Sequence, residues 1–530
     1  MWLLAGASGV LMSIPWLVPH TGLLALVGFV PLLMAEYIAT GAKVRHFWFW
    51  HYGSFVLWNA LTTFWVCNAT VGGGIFAVLA NSLQMSLVFG LFRLARKKLS
   101  GVVPYILLAA AWIAWERWYL TSAEISWPWL VLGNAFATNI KDIQWYSVTG
   151  TLGGSLWVWC SNLGIFGLIT ALGNGKWQEW TRAARIVVIS ALALLLIGLP
   201  VVSGIMFATY QERSEKQVSV VIGQPNLDPY HKFTSMRQSE QNELFLSLVE
   251  GTLDEEPADL LLAPETFTSD VILNDIPSSP TWQRFHFFLD THKGTDFLFG
   301  AATNELFYTR SAPSLLSYPY GSGWRMPHNS AIMLAPDGRT EVFHKSKLVV
   351  GTELTPYPKF FVPLDNWLSG LMGVTALMAR DSGQEEISLL HLSDGTPLGC
   401  AVCYESVYGE YCTGYASRGA GFLTVITNDA WWGNTPGYRQ HQSYSCLRAI
   451  ETRRDIARCG NTGISCFINQ KGEVVSRGPW WEETVLRGTV NVNTEQSFFT
   501  RNGDIVGRVS TLVFLLLLAL LVVRFFVRSK

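Results

Sequence analysis

Val402-Cys403-Tyr404-Glu405 is the stretch that decides the fold and chemistry of this 530-residue chain. A cysteine attacks a carbonyl efficiently only as a thiolate, so it requires a base or a cation beside it. Two earlier segments, Pro264-Glu265-Thr266 and His344-Lys345-Ser346-Lys347, supply an acid and a lysine. We therefore predict that the acid, the lysine and the cysteine of these three segments form one acyl-transfer site.

Short apolar segments alternate with helical patterns around these motifs, which predicts an α/β sandwich whose strands are buried on both faces. The predicted strands are 218–222, 260–263, 297–299, 331–334 and 423–426, and the predicted helices are 236–250 and 440–456. Glu265, Asn428 and Asp429 directly follow strands. Ligands of open α/β sheets bind at such strand ends, so we expect these side chains at the site.

The composition predicts a membrane protein. Half of the residues are hydrophobic and only 15% are charged, a balance too apolar for an ordinary soluble enzyme, and the net charge of −1 offers no basic surface for nucleic acid. Eight segments approach the length needed to cross a bilayer: 2–18, 22–39, 47–67, 73–92, 103–120, 154–172, 186–207 and 509–527. The first two are short and alternatively form one kinked or re-entrant unit. The sequence thus predicts an α-helical membrane domain over 1–208, a catalytic domain over 217–495 and a C-terminal transmembrane helix over 509–527.

Cations predict the orientation, because short loops rich in lysine and arginine stay in the cytoplasm. With the N-terminus inside, the cations of the inner segments are Lys43, Arg45, Arg93, Arg96, Lys97, Lys98, Lys176, Arg182, Arg185, Arg524, Arg528 and Lys530. Seven crossings then place residues 208–508 outside the cytoplasm, which in a bacterium is the periplasm. We expect an inner-membrane protein.

Aromatic residues suggest where lipid chains lie. Trp127 and Trp129, after the fifth predicted span, form either an aromatic belt at headgroup depth or a wall of a lipid access path. Trp431 and Trp432 either line an acyl pocket or pack in the core. The apolar segment 355–378 is either a mobile lid that dips into the bilayer or a packed arm.

His441 and the other cysteines offer competing chemistry. A Cys–His pair would make His441 the base, whereas we favour a brace for the loop after Trp432. Cys400 and Cys403 have the spacing of a redox pair or half a zinc site, but no second such pair follows. We therefore predict neither metal nor cofactor, and leave disulfide bonds among the remaining cysteines open.

The three central segments resemble those of the apolipoprotein N-acyltransferase family, the membrane-bound branch of the nitrilase superfamily. Further segments carry the resemblance: Gln224-Pro225-Asn226, Asn329-Ser330, Asn428-Asp429-Ala430-Trp431-Trp432-Gly433, Gln440-His441, Arg448-Ala449, Glu451, Asn461 and Gly463. The resemblance implies a nitrilase-like α-β-β-α sandwich. It also implies transfer of an acyl chain from a membrane phospholipid to the N-terminal amine of a diacylglyceryl-cysteine lipoprotein, through a thioester on Cys403.

Individual roles follow from the chemistry of that reaction. Glu265 would be the general base and Lys345 would stabilise the oxyanion, while Tyr404, Glu405 and Asn428 support them. Family members usually have Leu-Val-Pro-Phe-Gly-Glu after the lysine. Here residues 348–353 read Leu-Val-Val-Gly-Thr-Glu, and the preserved spacing keeps Glu353 as a supporting acid.

Two other functions remain open from the sequence. A membrane-anchored nitrilase-type amidase would use the same three residues with water as the acceptor. A lipid- or lipoprotein-binding module would keep the motifs without catalysis.

Overall fold

The N-terminal part of the chain is a bundle of helices. The computed structural model describes residues 1–527, apart from the side chain of Phe233. The helices of this part are α1 (Trp2–Leu17), α2 (Ala25–Gly28), α3 (Val30–Gly41), α4 (Trp48–Thr63), α5 (Val66–Ala69), α6 (Val71–Arg96), α7 (Val103–Thr121), α8 (Tyr146–Thr149), α9 (Thr151–Gly173), α10 (Lys176–Glu179), α11 (Arg182–Ala193) and α12 (Leu199–Thr209). A π-helical turn over Leu194–Gly198 joins α11 to α12.

Five helical segments among the described residues are long and apolar enough to cross a membrane. They are Gly22–Gly41, Val71–Arg96, Thr151–Gly173, Arg182–Thr209 and Ile505–Phe526. The other three predicted spans are helical too, but α1 and α4 have only 16 residues each. Such a helix rises about 24 Å, less than the roughly 30 Å of the hydrocarbon core. An eight-span topology therefore stays a prediction, and the tail cations Arg528 and Lys530 lie outside the described residues.

Thirteen strands and their connecting helices follow the bundle. The strands are β1 (Lys216–Gln224), β2 (Leu260–Leu262), β3 (Asp296–Phe307), β4 (Tyr318–Tyr320), β5 (Gly323–Leu334), β6 (Thr340–His344), β7 (Leu390–His391), β8 (Pro397–Val402), β9 (Phe422–Thr427), β10 (Ile456–Gly460), β11 (Cys466–Ile468), β12 (Val474–Arg477) and β13 (Thr484–Val492). The helices are α13 (Pro229–Thr234), α14 (Gln238–Glu255), α15 (Pro280–Thr291), α16 (Pro358–Met372), α17 (Gly409–Ser417), α18 (Pro436–Thr452), α19 (Phe498–Asn502) and α20 (Ile505–Phe526).

The strands form two sheets that pack face to face. One sheet has the order β13-β1-β2-β3-β5-β4, with β6 paired to β5, and the other has the order β12-β11-β10-β9-β8-β7. Val220 and Ile222 of β1 point between the sheets, whereas Val221 points out towards α14. Both faces of β1 are covered, which is why residues 220–222 form a continuous apolar run. With α14 and α15 outside one sheet and α17 and α18 outside the other, the predicted α-β-β-α sandwich is confirmed.

Several predicted segments have different bounds in the structure. The helix predicted over 440–456 begins at Pro436 and ends at Thr452, and Ile456 already belongs to β10. Arg453 has φ 53°, a left-handed conformation that ends a helix. The strands predicted over 297–299 and 331–334 are parts of the longer β3 and β5, which pair along their whole length as an antiparallel ladder.

Candidate active site

A buried lysine lies between two carboxylates at the ends of the strands. Lys345, which is 1% exposed, donates from Nζ to Glu265 Oε1 at 2.9 Å and to Glu353 Oε1 at 2.7 Å. The Asn329 side-chain amide donates to the same two oxygens at 2.8 Å each. Burial lowers the pKa of Lys345, but the two carboxylates outweigh burial and raise that pKa well above its usual value. The ammonium is therefore held charged, as an oxyanion partner must be.

Glu265 is positioned by the turn that follows β2. Its Oε2 accepts a hydrogen bond from the Asn428 backbone N–H at 3.1 Å, so the acid also contacts the end of β9. Gly300 of β3 supports the turn from behind, because a Cβ there would lie 2.5 Å from the Pro264 carbonyl oxygen. Thr266 completes the turn with φ 45°. These contacts fix the carboxylate beside Lys345.

Cys403 directly follows β8 and begins a 3₁₀ turn over Cys403–Val407. Its φ of 52° is unusual for a side chain with a Cβ, and such strain occurs often at functional sites. Burial and then the charge of Glu265 raise the pKa of the Cys403 thiol well above its usual value, although Lys345 opposes them. The resting thiol is thus neutral and depends on a base to become a nucleophile.

Glu405 braces the nucleophile turn from behind. Its carboxylate accepts backbone hydrogen bonds from Val402 at 2.8 Å, Ser346 at 2.6 Å and Lys347 at 3.2 Å. Burial raises the pKa of Glu405 to about 7, against the effect of these hydrogen bonds. The side chain therefore ties the segment of Cys403 to that of Lys345.

His441 faces the backbone of Cys403. Its Nε2 lies 3.1 Å from the Cys403 carbonyl oxygen and 3.0 Å from Ser406 Oγ, and its Nδ1 lies 2.9 Å from Asp429 Oδ1. Arg458 donates to the other Asp429 oxygen at 2.7 Å. Burial opposes ionisation of Asp429, but His441 and Arg458 outweigh it and lower the pKa to about 2. With both ring nitrogens engaged, His441 fits a brace better than a base for the thiol.

The same residues have a spacing that suits a metal ion. The Cys403 sulfur, a His441 ring nitrogen and an Asp429 carboxylate oxygen lie within 4.8 Å of one another. However, Asp429 already accepts hydrogen bonds from Thr427 at 2.7 Å and from Arg458. A metal there would have to displace a buried ion pair, so the donor set fits a support for the thiol better than a metal centre.

One cavity of about 1050 Å³ joins the predicted site to the helical bundle. Its lining includes all of the predicted site residues except Glu405 and Asp429: Glu265, Lys345, Cys403, Glu353, Tyr404, Asn428, Trp431, Trp432, His441, Trp127 and Trp129. Residues of α5 and α6 also line the cavity and are mainly apolar: Val66, Ala69, Phe76, Ala77 and Ala80. A cavity of this size and composition has room for a lipid chain beside the polar cluster.

Stacked indole rings form the wall between the two parts of the molecule. Trp127 stacks on Trp129 at 5.3 Å between ring centroids, and Trp65 contacts Trp432 at 4.5 Å. Trp129 is fully buried, which does not fit a belt exposed to lipid headgroups. Trp431 packs edge-on against Tyr230 at 5.6 Å. The Tyr404 hydroxyl donates to the Ser126 carbonyl at 3.2 Å and so joins the nucleophile turn to the bundle.

Within the segment 355–378, Pro358–Met372 form the amphipathic helix α16. The residues after the helix run back along it without regular secondary structure. Phe360, Trp367 and Leu371 of α16 are exposed. A buried ion pair of 2.7 Å between Asp365 and Arg380 ties the residues after α16 back to the helix. The segment is thus a partly packed arm, while its mobility and its contact with a bilayer stay predictions.

The cysteines do not pair. All eight lie within the described residues and are free, and Cys400 is buried in β8.

Sequence reasoning assigned no role to three residues of the site. Asn329 bridges the two acids, Trp65 forms part of the cavity wall, and the side chain of Asp381 lines the cavity. The available signal for Asn329 was its place in the Asn329-Ser330 segment of the family resemblance, directly before the predicted strand 331–334. Nothing in the local pattern marks Trp65 or Asp381, since their places depend on how α5 and the arm pack.

Comparisons with known proteins identify the family of the chain. A family model described as carbon-nitrogen hydrolase matches residues 219–498, and one described as apolipoprotein N-acyltransferase N-terminal domain matches residues 8–164. The chain belongs to the carbon-nitrogen hydrolase family. These two matches, together with relatives that cover nearly the whole chain, identify it as an acyltransferase enzyme.

Similar proteins cover nearly the whole chain. An apolipoprotein N-acyltransferase of Chlorobaculum tepidum is 28% identical over 514 residues, which are 95% of this chain and 93% of that protein. One of Geobacter metallireducens is 25% identical over 515 residues, 95% of this chain and 92% of that protein. A solved structure of a nitrilase superfamily member of Saccharomyces cerevisiae has a TM-score of 0.39 and 15% identity, covering 57% of this chain and 99% of that one.

Proposed function

We propose that this protein transfers an acyl chain from a membrane phospholipid to the N-terminal amine of a diacylglyceryl-cysteine apolipoprotein, through a thioester on Cys403. The observation that carries the proposal is the shared cavity. It is lined both by Glu265, Lys345 and Cys403 and by apolar residues of α5 and α6. An acyl chain can therefore lie in the bundle while its carbonyl reaches the thiol.

The first half of the reaction forms the thioester. Glu265 takes the proton of the Cys403 thiol, and the sulfur attacks the ester carbonyl carbon of the phospholipid. The Lys345 ammonium stabilises the oxyanion that develops, because it is already charged and fixed in a site shielded from water. The ester C–O bond breaks, Glu265 returns the proton to the leaving alkoxide, and a lysophospholipid departs.

The second half transfers the chain to the amine. The acceptor nitrogen attacks the thioester carbonyl, the C–S bond breaks, and Glu265 passes a proton from the nitrogen to the departing sulfur. Trp127, Trp129 and Trp432 close the cavity wall beside the thioester. Exclusion of water there favours transfer to an amine over hydrolysis.

The test is the mass of a synthetic diacylated lipopeptide after incubation with the purified protein and a defined phospholipid. The proposal expects the peptide to gain one acyl chain on its N-terminal amine, with no gain in Cys403→Ala. Release of free fatty acid without peptide acylation would instead favour an amidase-like hydrolase. Unchanged activity of Cys403→Ala would remove the thioester from the mechanism.

We also propose a bacterial inner-membrane location with the catalytic domain in the periplasm. The clustering of lysine and arginine in alternate loops supports this orientation. A periplasm-dependent reporter inserted in the 174–181 connection should be inactive, and one inserted after Gly321 should be active. The reverse pattern would overturn the orientation.

A further inference from the structure

Asp381 places an acid in the cavity outside the cluster that holds Lys345. Its backbone N–H donates to the Glu353 carbonyl at 2.9 Å, and that of Ser382 donates to the Pro327 carbonyl at 2.8 Å. Two positions before Asp381, the Ala379 carbonyl accepts a hydrogen bond from Thr355 Oγ1 at 2.6 Å. The backbone around Asp381 is therefore held by hydrogen bonds on both sides, although the residue lies just beyond the irregular end of the segment 355–378.

The Asp381 carboxylate is half-buried and faces the cavity. Within residues 1–527, no hydrogen bond or ion pair joins it to another side chain. By contrast, Glu265 and Glu353 each accept three hydrogen bonds. The neighbouring Arg380 is turned away, towards Asp365. A partly buried carboxylate without a partner is costly, and a cation in the cavity would satisfy it.

On this basis, and resting on the function proposed above, we propose that Asp381 binds the cationic N-terminal amine of the acceptor and takes its first proton. A primary ammonium supplies three donors and one positive charge, which the open carboxylate lacks. The charged groups that face Asp381 are Glu353 and Lys345, which are already paired with each other in a hydrogen-bonded ion pair.

Burial and then the charge of Glu353 raise the pKa of Asp381 to about 7, with Lys345 opposing. That value is close to the roughly 7.7–8.0 of a free α-amino group, so a proton passes between the two without a large energy difference. The acceptor R–NH₃⁺ gives one proton to the Asp381 carboxylate and becomes R–NH₂. The neutral nitrogen attacks the thioester, Glu265 moves its second proton to the Cys403 sulfur, and Asp381 then releases the first proton to solvent.

The test separates the two halves of the reaction in wild type, Asp381→Asn and the control Asp290→Asn, which removes an equal charge at an exposed position of α15. Each protein is first acylated in detergent by phosphatidylglycerol, whose headgroup has no ammonium. The thioester is then discharged by a diacylated lipopeptide or by hydroxylamine, which is largely uncharged at neutral pH.

We expect the Asp381→Asn protein to form the Cys403 thioester at a rate within twofold of wild type. Hydroxylamine should also discharge that thioester at a rate within twofold of wild type. Discharge by the lipopeptide should slow by about 10- to 100-fold, the usual worth of a hydrogen bond to a charged group. Asp381→Glu should recover part of that rate, and Asp290→Asn should match wild type.

Equal rates for wild type and Asp381→Asn with the lipopeptide would overturn the assignment, as would an equal loss with both nucleophiles. Phosphatidylethanolamine also has a primary ammonium. If Asp381→Asn slows acylation by phosphatidylethanolamine but not by phosphatidylglycerol, Asp381 binds the donor headgroup and the acceptor assignment is wrong. A wild-type protein that forms no thioester would instead refute the proposed function itself.

Discussion

Gln440 of α18 accepts a hydrogen bond from the Trp129 indole nitrogen at 2.7 Å, although the two residues lie 311 positions apart. The same Gln440 oxygen accepts from Trp65 at 3.2 Å. Its amide donates to the carbonyls of Trp16 and Thr62 at 3.0 and 3.2 Å. One buried side chain of the α/β domain thus satisfies four groups of the helical bundle directly beneath the cavity.

Replacing Gln440 by leucine should loosen the junction between the two domains. The variant removes four hydrogen bonds, and each donor or acceptor left unpartnered costs about 1–3 kcal/mol. We expect a melting temperature several degrees lower in detergent, together with faster hydrolysis of the acyl-enzyme as water reaches the cavity. Gln211→Leu, at an exposed position, is the matched control. A melting temperature equal to wild type would show that the junction does not depend on Gln440.

Glu265→Gln should block formation of the thioester. The amide keeps the shape of the side chain but cannot take the proton of a thiol whose pKa is raised. General bases typically contribute about 10²- to 10⁴-fold, and we expect a loss of that order in the rate of Cys403 acylation. The measurement is single-turnover acylation followed by mass, with the exposed Glu250→Gln as the control. If Cys403 of the Glu265→Gln variant is acylated at the wild-type rate, the general base is another residue.

Glu353→Gln should have a smaller effect through Lys345. The lysine donates to Glu353 at 2.7 Å and to Glu265 at 2.9 Å. Without the Glu353 charge, the ammonium pairs more strongly with Glu265 and makes it a weaker base. We expect acylation to slow by about 10- to 100-fold, the worth of one charged hydrogen bond. The exposed Glu386→Gln serves as the control, and an unchanged rate would mean that Glu353 only fills space.

Asp429 should support the folded state at all but strongly acidic pH. Its folded pKa of about 2 lies below the ordinary 3.8, so the ionised form favours the fold. That contribution is present above about pH 4 and is lost as pH falls through about 2. Its size is about 2 kcal/mol at neutral pH.

Asp429→Asn should therefore lower the melting temperature at pH 7, and the difference from wild type should shrink as pH falls from about 4 towards 2. Melting curves of both proteins in detergent give the comparison. A difference that stays constant over that range would show that His441 and Arg458 do not depend on the Asp429 charge.

The sequence predicted the parts of the site that follow strands, and missed those that depend on packing between distant elements. Glu265 and Asn428 are each the second residue beyond a predicted strand, so their convergence follows from a sandwich with parallel neighbouring strands. Cys403 follows β8, where no strand was predicted. Gln440, which belongs to a segment of the family resemblance, has no such signal for its contacts with the bundle, and Asp381 has none at all. One lies within a helix of ordinary composition and the other follows an irregular arm, and their roles arise from what packs against them.

The most direct test of the account is the intact mass of the detergent-purified protein after exposure to a defined phospholipid in the absence of an acceptor. We predict one added acyl chain on Cys403, labile to hydroxylamine, discharged by a diacylated lipopeptide and absent from Cys403→Ala. No adduct on the wild-type protein, or the same adduct on Cys403→Ala, would contradict the thioester on which the account rests.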